Sequence, residues 1–209
     1  MLEPMTDTEL RMTDHELLAL LSMTPTESAA TTLGLFRLDQ HAGNELLHNA
    51  GLTTLLVRGL AEEQGGRIIP VERCAVVGTV LSQAQEWLEI SLSTPSAEHV
   101  LFMAGSNVGA VLLGLSPFGV HEIQPIESGP AMLALGLHLC SEYLVGAAEG
   151  LPAMATVRRI RVGAEPVTAQ LAAVESGNWT LRTGGESNPA EEAVSAETAL
   201  DRLEAALAG

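Results

Sequence analysis

Leu17, Leu18, Leu20 and Leu21 follow the polar run Thr13-Asp14-His15-Glu16, an order that predicts a helix starting at Thr13. This is a capping box, in which the Thr hydroxyl takes the N3 amide and Glu16 returns to the cap amide. A second start is read at Thr24-Pro25-Thr26-Glu27, with Pro at the first helical position, where its missing N–H costs nothing. The first ten residues are polar and are expected to fray. Between Gly43 and Ala61 the apolar spacing (Leu46, Leu47, Ala50, then Leu55, Leu56, Leu60) is interrupted at Gly51, which predicts two short helices meeting near Asn49-Ala50-Gly51. Gln64-Gly65-Gly66 closes that stretch, and Arg67-Ile68-Ile69-Pro70 leads into a further helix over 71–84. Residues 1–85 therefore read as a helical N-terminal region.

Beyond residue 85 the period changes from helical to alternating. Leu88, Ile90 and Leu92 alternate with Glu89, Ser91 and Ser93, the pattern of a half-buried strand. Thr94-Pro95-Ser96-Ala97 is a turn, and 99–104 its antiparallel partner. Gly105-Ser106-Asn107 turns into the apolar run 108–115, and Ser116-Pro117-Phe118-Gly119 into a fourth strand over 120–126. Turns this short join antiparallel neighbours, because parallel strands need a long crossover. A strongly apolar helix over 131–147 is placed on one face of the sheet. Further strands are read at 157–162 and 178–182, a mobile loop at 184–192, and a closing amphipathic helix over 199–208, with Leu200, Leu203 and Leu207 on one face. The expected class is α+β: an antiparallel sheet of about four to six strands flanked by helices, 86–209 following the helical 1–85, the whole forming one unit.

Composition narrows the chemistry. Lys+Arg is 10 against Asp+Glu 26, a net charge of −16, and every basic residue is Arg. Without lysine there is no Schiff base, pyridoxal site or P-loop. The charge disfavours nucleic acid and anionic membranes, since the basic cluster Arg158, Arg159 and Arg161 is short. No signal peptide is read at Met1-Leu2-Glu3-Pro4-Met5, and the run 131–148, with His138, Glu142 and two glycines, is too polar to span a bilayer. Cys74 and Cys140 lie in apolar helical stretches and are expected as buried thiols rather than a disulfide framework. A cytoplasmic location is expected.

The titratable residues give no specific catalytic signal. On one helix His41 and His48 would stand about 10 Å apart at 1.5 Å rise per residue, too far for one zinc, whose ligand nitrogens lie about 4 Å apart. With Glu45 they read as a solvated face, and no metal or cofactor is expected. His121 and Glu122 are adjacent on a strand and point to opposite faces. His99, His121 and His138 are the set whose convergence would make a His/Glu enzyme of the small-hydrolase kind. Gly114-Leu115-Ser116-Pro117-Phe118-Gly119 lacks the spacing of a nucleophile elbow and reads as a turn.

Three stretches point elsewhere: Ala50-Gly51-Leu52 through Arg58-Gly59-Leu60 to Gly66-Arg67-Ile68-Ile69-Pro70; the Trp87 strand with the three strands and apolar helix after it; and Gly177-Asn178-Trp179-Thr180, a Gly-rich loop and a last Leu-spaced helix. Their order over residues 45–208 resembles the EspG-type proteins of actinobacterial type VII secretion, and arginine-only basic usage fits a high-GC actinobacterial gene. The resemblance implies a cytoplasmic, cofactor-free chaperone that covers the apolar tip of helical PE/PPE-type secretion substrates. No residue carries over by motif. Phe118, in a tight turn, and Trp87, on the polar-alternating face of its strand, are the residues expected to be exposed and to anchor another protein. A self-associating structural or assembly protein, with a homo-oligomer, is the other non-catalytic alternative.

Overall fold

The computed structural model describes residues 10–146, 150–174, 178–184 and 190–208. In chain order the elements are β1 (Leu10–Thr13), α1 (Asp14–Ser22), α2 (Glu27–Leu35), a 3-10 turn (Asp39–His41), α3 (Glu45–Val57), β2 (Ala61–Gln64), β3 (Arg67–Pro70), α4 (Glu72–Ser82), β4 (Glu86–Ser93), β5 (Glu98–Ser106), β6 (Gly109–Leu115), β7 (Val120–Ile126), α5 (Pro130–Val145), β8 (Ala153–Arg161), β9 (Val167–Ala173), β10 (Asn178–Thr183), β11 (Ala190–Ser195) and α6 (Ala199–Ala208). Nine strands form one sheet in the order β1-β7-β6-β5-β4-β8-β9-β10-β11, and β2 and β3 form a separate pair. The β1–β7, β6–β7, β4–β8, β8–β9, β9–β10 and β10–β11 pairings are antiparallel. The class is α+β. Among the described residues no helix is long and apolar enough to cross a membrane.

Nine strands exceed the four to six expected from the sequence. The extra ones are poor strand formers taken singly. β9, Val-Thr-Ala-Gln-Leu-Ala-Ala, buries Ala169, Leu171 and Ala173 on one face, a period of two written mostly in alanine. β11 is acidic and exposed; it is held by pairing along β10 and by the Arg182–Glu191 ion pair. Residues 185–189 of the expected loop, and 1–9 of the expected frayed end, lie outside the described residues.

The N-terminal region is also not wholly helical. β2 and β3 make a hairpin because Gly65 and Gly66 both take positive φ (61° and 80°), the two-residue turn that matches strand twist. The break read at Gly51 is absent, since α3 runs unbroken from Glu45 to Val57 with Asn44 as its N-cap. Gly51 is there for proximity, because a β-carbon on it would lie 1.9 Å from the His15 carbonyl oxygen of α1. The Thr13 box forms as read. At the second start the cap is Thr26, one position past Pro25, and its hydroxyl takes the Ala29 amide.

The chain divides into two compact units. The first holds residues 1–85 together with 104–128; its core is built around α1, which buries Leu17, Leu18, Ala19, Leu20 and Leu21. Glu16 is buried in the same helix, where Arg58 at the end of α3 pairs with it at 2.7 Å. The second unit holds 86–103 and 129–209. There α5 packs on β4 and β8, and α6 on β9 and β10. The arginine cluster is used internally: Arg158 pairs with Glu89, Arg159 with Glu86 and the Leu207 carbonyl, and Arg161 with the Ala208 carbonyl. Guanidiniums tied in this way are poor ligands for phosphate.

Candidate functional site

His121 is the one buried histidine among the described residues. Its Nε2 stands 2.7 Å from Asp14 Oδ1, and its Nδ1 accepts the Ser116 amide at 3.3 Å. An amide can only donate, so Nδ1 carries no proton and Nε2–H donates to Asp14. The ring stacks on Phe36, 6.4 Å between centroids. With both nitrogens bonded, the imidazole has no free lone pair for a substrate proton. It fastens the start of α1 to the turn 116–119, while Glu122 faces away and pairs with Arg11.

The other histidines are exposed or half-buried. The His99 and Tyr143 rings stand nearly perpendicular, 5.9 Å between centroids, and His138 is exposed on α5. His41 closes the 3-10 turn, whereas Glu45 and His48 lie in the first turns of α3, so the three do not share one helix. Among the described residues no group of three His, Cys, Asp or Glu is arranged to hold a metal ion.

Cys74 and Cys140 are buried free thiols. Burial pushes Cys74 up to about 11, with the Glu16 charge raising it further and Arg58 opposing. Burial likewise pushes Cys140 up to about 12. At pH 8 a thiol with a pKa of about 11 is roughly one part in a thousand thiolate. Native protein mixed with a thiol-reactive disulfide dye at pH 8 should therefore label at neither cysteine over minutes, and at both within seconds once denatured. Rapid native labelling would show that the helices carrying them open readily.

The two aromatic residues read as anchors part company. Trp87 is 1% exposed and belongs to the core. Its strand buries one side chain on one face and Leu88, Ile90 and Leu92 on the other, so alternation with polar neighbours misreads it. Phe118 is 90% exposed. Its turn is fixed from several directions: the Gly119 amide bonds the Ser116 carbonyl, the Phe118 amide the Ser116 hydroxyl, and the Asp14 amide the Gly119 carbonyl. The ring is presented to solvent by a backbone with little freedom.

An apolar cleft of about 530 Å³ carries no motif in the sequence. Leu10, Val77, Val111 and Ile123 are buried in its floor, Val76 and Pro125 stand exposed at its lips, and Glu72 and Arg73 lie at one end. Register explains the floor: Leu10 and Leu113 flank Ile123 on β1 and β6, and Val111 sits opposite Pro125. Over the described residues β1 pairs with β7 only along 120–123, and Pro125, with no N–H to leave unbonded, lies beyond that pairing. Val76 was the available sign, a branched apolar residue between Arg73 and Thr79 on the face of α4 opposite its buried stripe.

Phe118 and the cleft are carried by one hairpin, β6–β7, the aromatic at its turn and the cleft toward its open end. The four residue steps from Val111 to Leu115 cover about 13 Å at about 3.3 Å per residue before the turn that carries Phe118 begins. The sequence matches no protein-family model and no curated protein.

Proposed function

We propose that this chain is a non-catalytic binding protein that holds an apolar segment of another protein against the β6–β7 hairpin. The observation that carries the reading is the solvent-open cleft, whose floor is aliphatic and which lies on the same hairpin as a fixed, exposed Phe118. A helix of about ten residues spans roughly 15 Å, a length comparable with the run of β6 from the cleft to the turn. A net charge of −16 favours a neutral or basic partner. A helical type VII secretion substrate is the class implied by the resemblance to EspG-type chaperones, with action in the cytoplasm of an actinobacterium. Two thiols kept free and buried suit that reducing setting.

A photo-crosslinking residue placed at Val76 or Phe118 in the native host is expected to join a partner protein, mapped by mass spectrometry, while the same residue at exposed Glu191 is not. Phe118→Ala should then weaken that partner's binding about 10- to 100-fold, as loss of an aromatic anchor does. Val76→Asp should weaken it at least about tenfold. Both sites are exposed, so neither change should lower the melting temperature. Equal adducts from all three positions, or unchanged affinity in both variants, would rule the cleft out.

A further inference from the structure

Helix α3 is apolar on two opposite sides. Gly51 and Leu55 are buried, Gly51 tight against α1. On the far side Leu46 is 82% exposed and Val57 81%, with Ala50 and Thr53 exposed between them and Leu56 beside them. Steps of four, three and four residues keep Leu46, Ala50, Thr53 and Val57 on one narrow stripe. From 46 to 57 there is no Asp, Glu or Arg, in a chain whose net charge is −16. Large aliphatic side chains as exposed as Leu46 and Val57, aligned on one helix stripe, mark a face that another surface can cover.

We propose that this stripe is the contact face of an antiparallel homodimer, α3 lying on α3 of a second copy. Charge is the first argument. Two copies at −16 repel one another overall, and the exposed stripe of α3, free of Asp, Glu and Arg, is where they can meet without adding close carboxylate contacts. Register is the second. About a twofold axis between Gly51 and Leu52, Leu46 meets Val57 of the second copy and Ala50 meets its Thr53, then the same pairs in reverse. The spacing is that of a coiled-coil seam, with large side chains at both ends and small ones in the middle, so the helix axes approach closely at the centre without collision at the ends. The contact is isologous and closes at two copies. It also sets the two helix dipoles head to tail. This surface is separate from the cleft and leaves the cleft's occupant undecided.

Four side chains per copy, two of them Ala and Thr, bury less than about 1,000 Å² in total, the range of weak and transient contacts, so the dimer is expected only at tens of micromolar or above. Sedimentation velocity from about 1 µM to about 500 µM should show monomer passing to dimer. The midpoint should move to lower concentration in about 0.3 M salt as the mutual repulsion is screened. Ala50→Glu, a favourable helix residue at an exposed position, should keep the melting temperature and leave only monomer. Val76→Asp should leave the dimer intact. Mixing Ala50→Cys protein with Thr53→Cys protein under mild oxidation should give a 50-to-53 cross-link in preference to 50-to-50 or 53-to-53, while Cys74 and Cys140 stay buried. Monomer at every concentration, a dimer that survives Ala50→Glu, or dominant 50-to-50 cross-links would each overturn the proposal.

Discussion

Gly51→Ala should lower the stability of the protein by about 3 kcal/mol, the upper end of what overpacking by one methyl costs, although alanine is the better helix former by about 1 kcal/mol. The β-carbon would stand 1.9 Å from the His15 carbonyl oxygen, 2.7 Å from its carbon and 2.8 Å from the Ala19 β-carbon. Two of these neighbours are backbone atoms within α1, so no rotamer change relieves the collision. The helices must part, and parting them opens gaps along a helix whose leucines are almost fully buried. For a chain of this size that corresponds to a drop on the order of 10 °C in melting temperature. Gly34→Ala is the control: it lies in α2 with no atom within 4 Å of the added carbon, and should be neutral or slightly stabilising. Equal melting temperatures for the two variants would mean that α1 and α3 do not approach so closely.

Arg58→Ala should cost about 3 kcal/mol, the lower end for breaking a buried ion pair. The Glu16 side chain is 1% exposed, and without the guanidinium its carboxylate stays in the core with only the Thr13 amide as a described hydrogen-bond donor. Arg58 is itself partly in water, which holds the loss below the upper range. Adding Glu16→Gln to Arg58→Ala should restore part of the stability. The amide oxygen can still accept the Thr13 N–H, and no charge is left behind. Urea midpoints of the wild type, both single variants and the double variant give the coupling directly. A single Arg58 variant as stable as wild type, or a double variant no better than it, would show that the pair contributes nothing.

What the chain order revealed, and what it hid, follows from the range of the forces involved. The Thr13 box, the closing helix and the β4-to-β7 meander are specified by neighbours within a few residues, and all are legible. Gly51 misled because an interior glycine looks the same whether it ends a helix or admits another backbone; only α1, more than thirty residues away, distinguishes the two. β9 and β11 are strands because β8 and β10 offer them partners, a tertiary preference that overrides weak local propensity. The separation of Trp87 from Phe118 is likewise tertiary: one strand is covered on both faces, while one turn has nothing over it. The cleft is the least legible feature, since its lining comes from α4 and three strands and carries no motif.

The second bond of Arg58 reaches further than the ion pair. Its Nη2 holds the Arg11 carbonyl at 2.8 Å, on strand β1, which ends the nine-stranded order. An outermost strand with open carbonyls is a template on which stray polypeptide can add and grow into fibrils. The residue that neutralises Glu16 thus also occupies one acceptor of that outermost strand, a docking point that a stray strand would otherwise use.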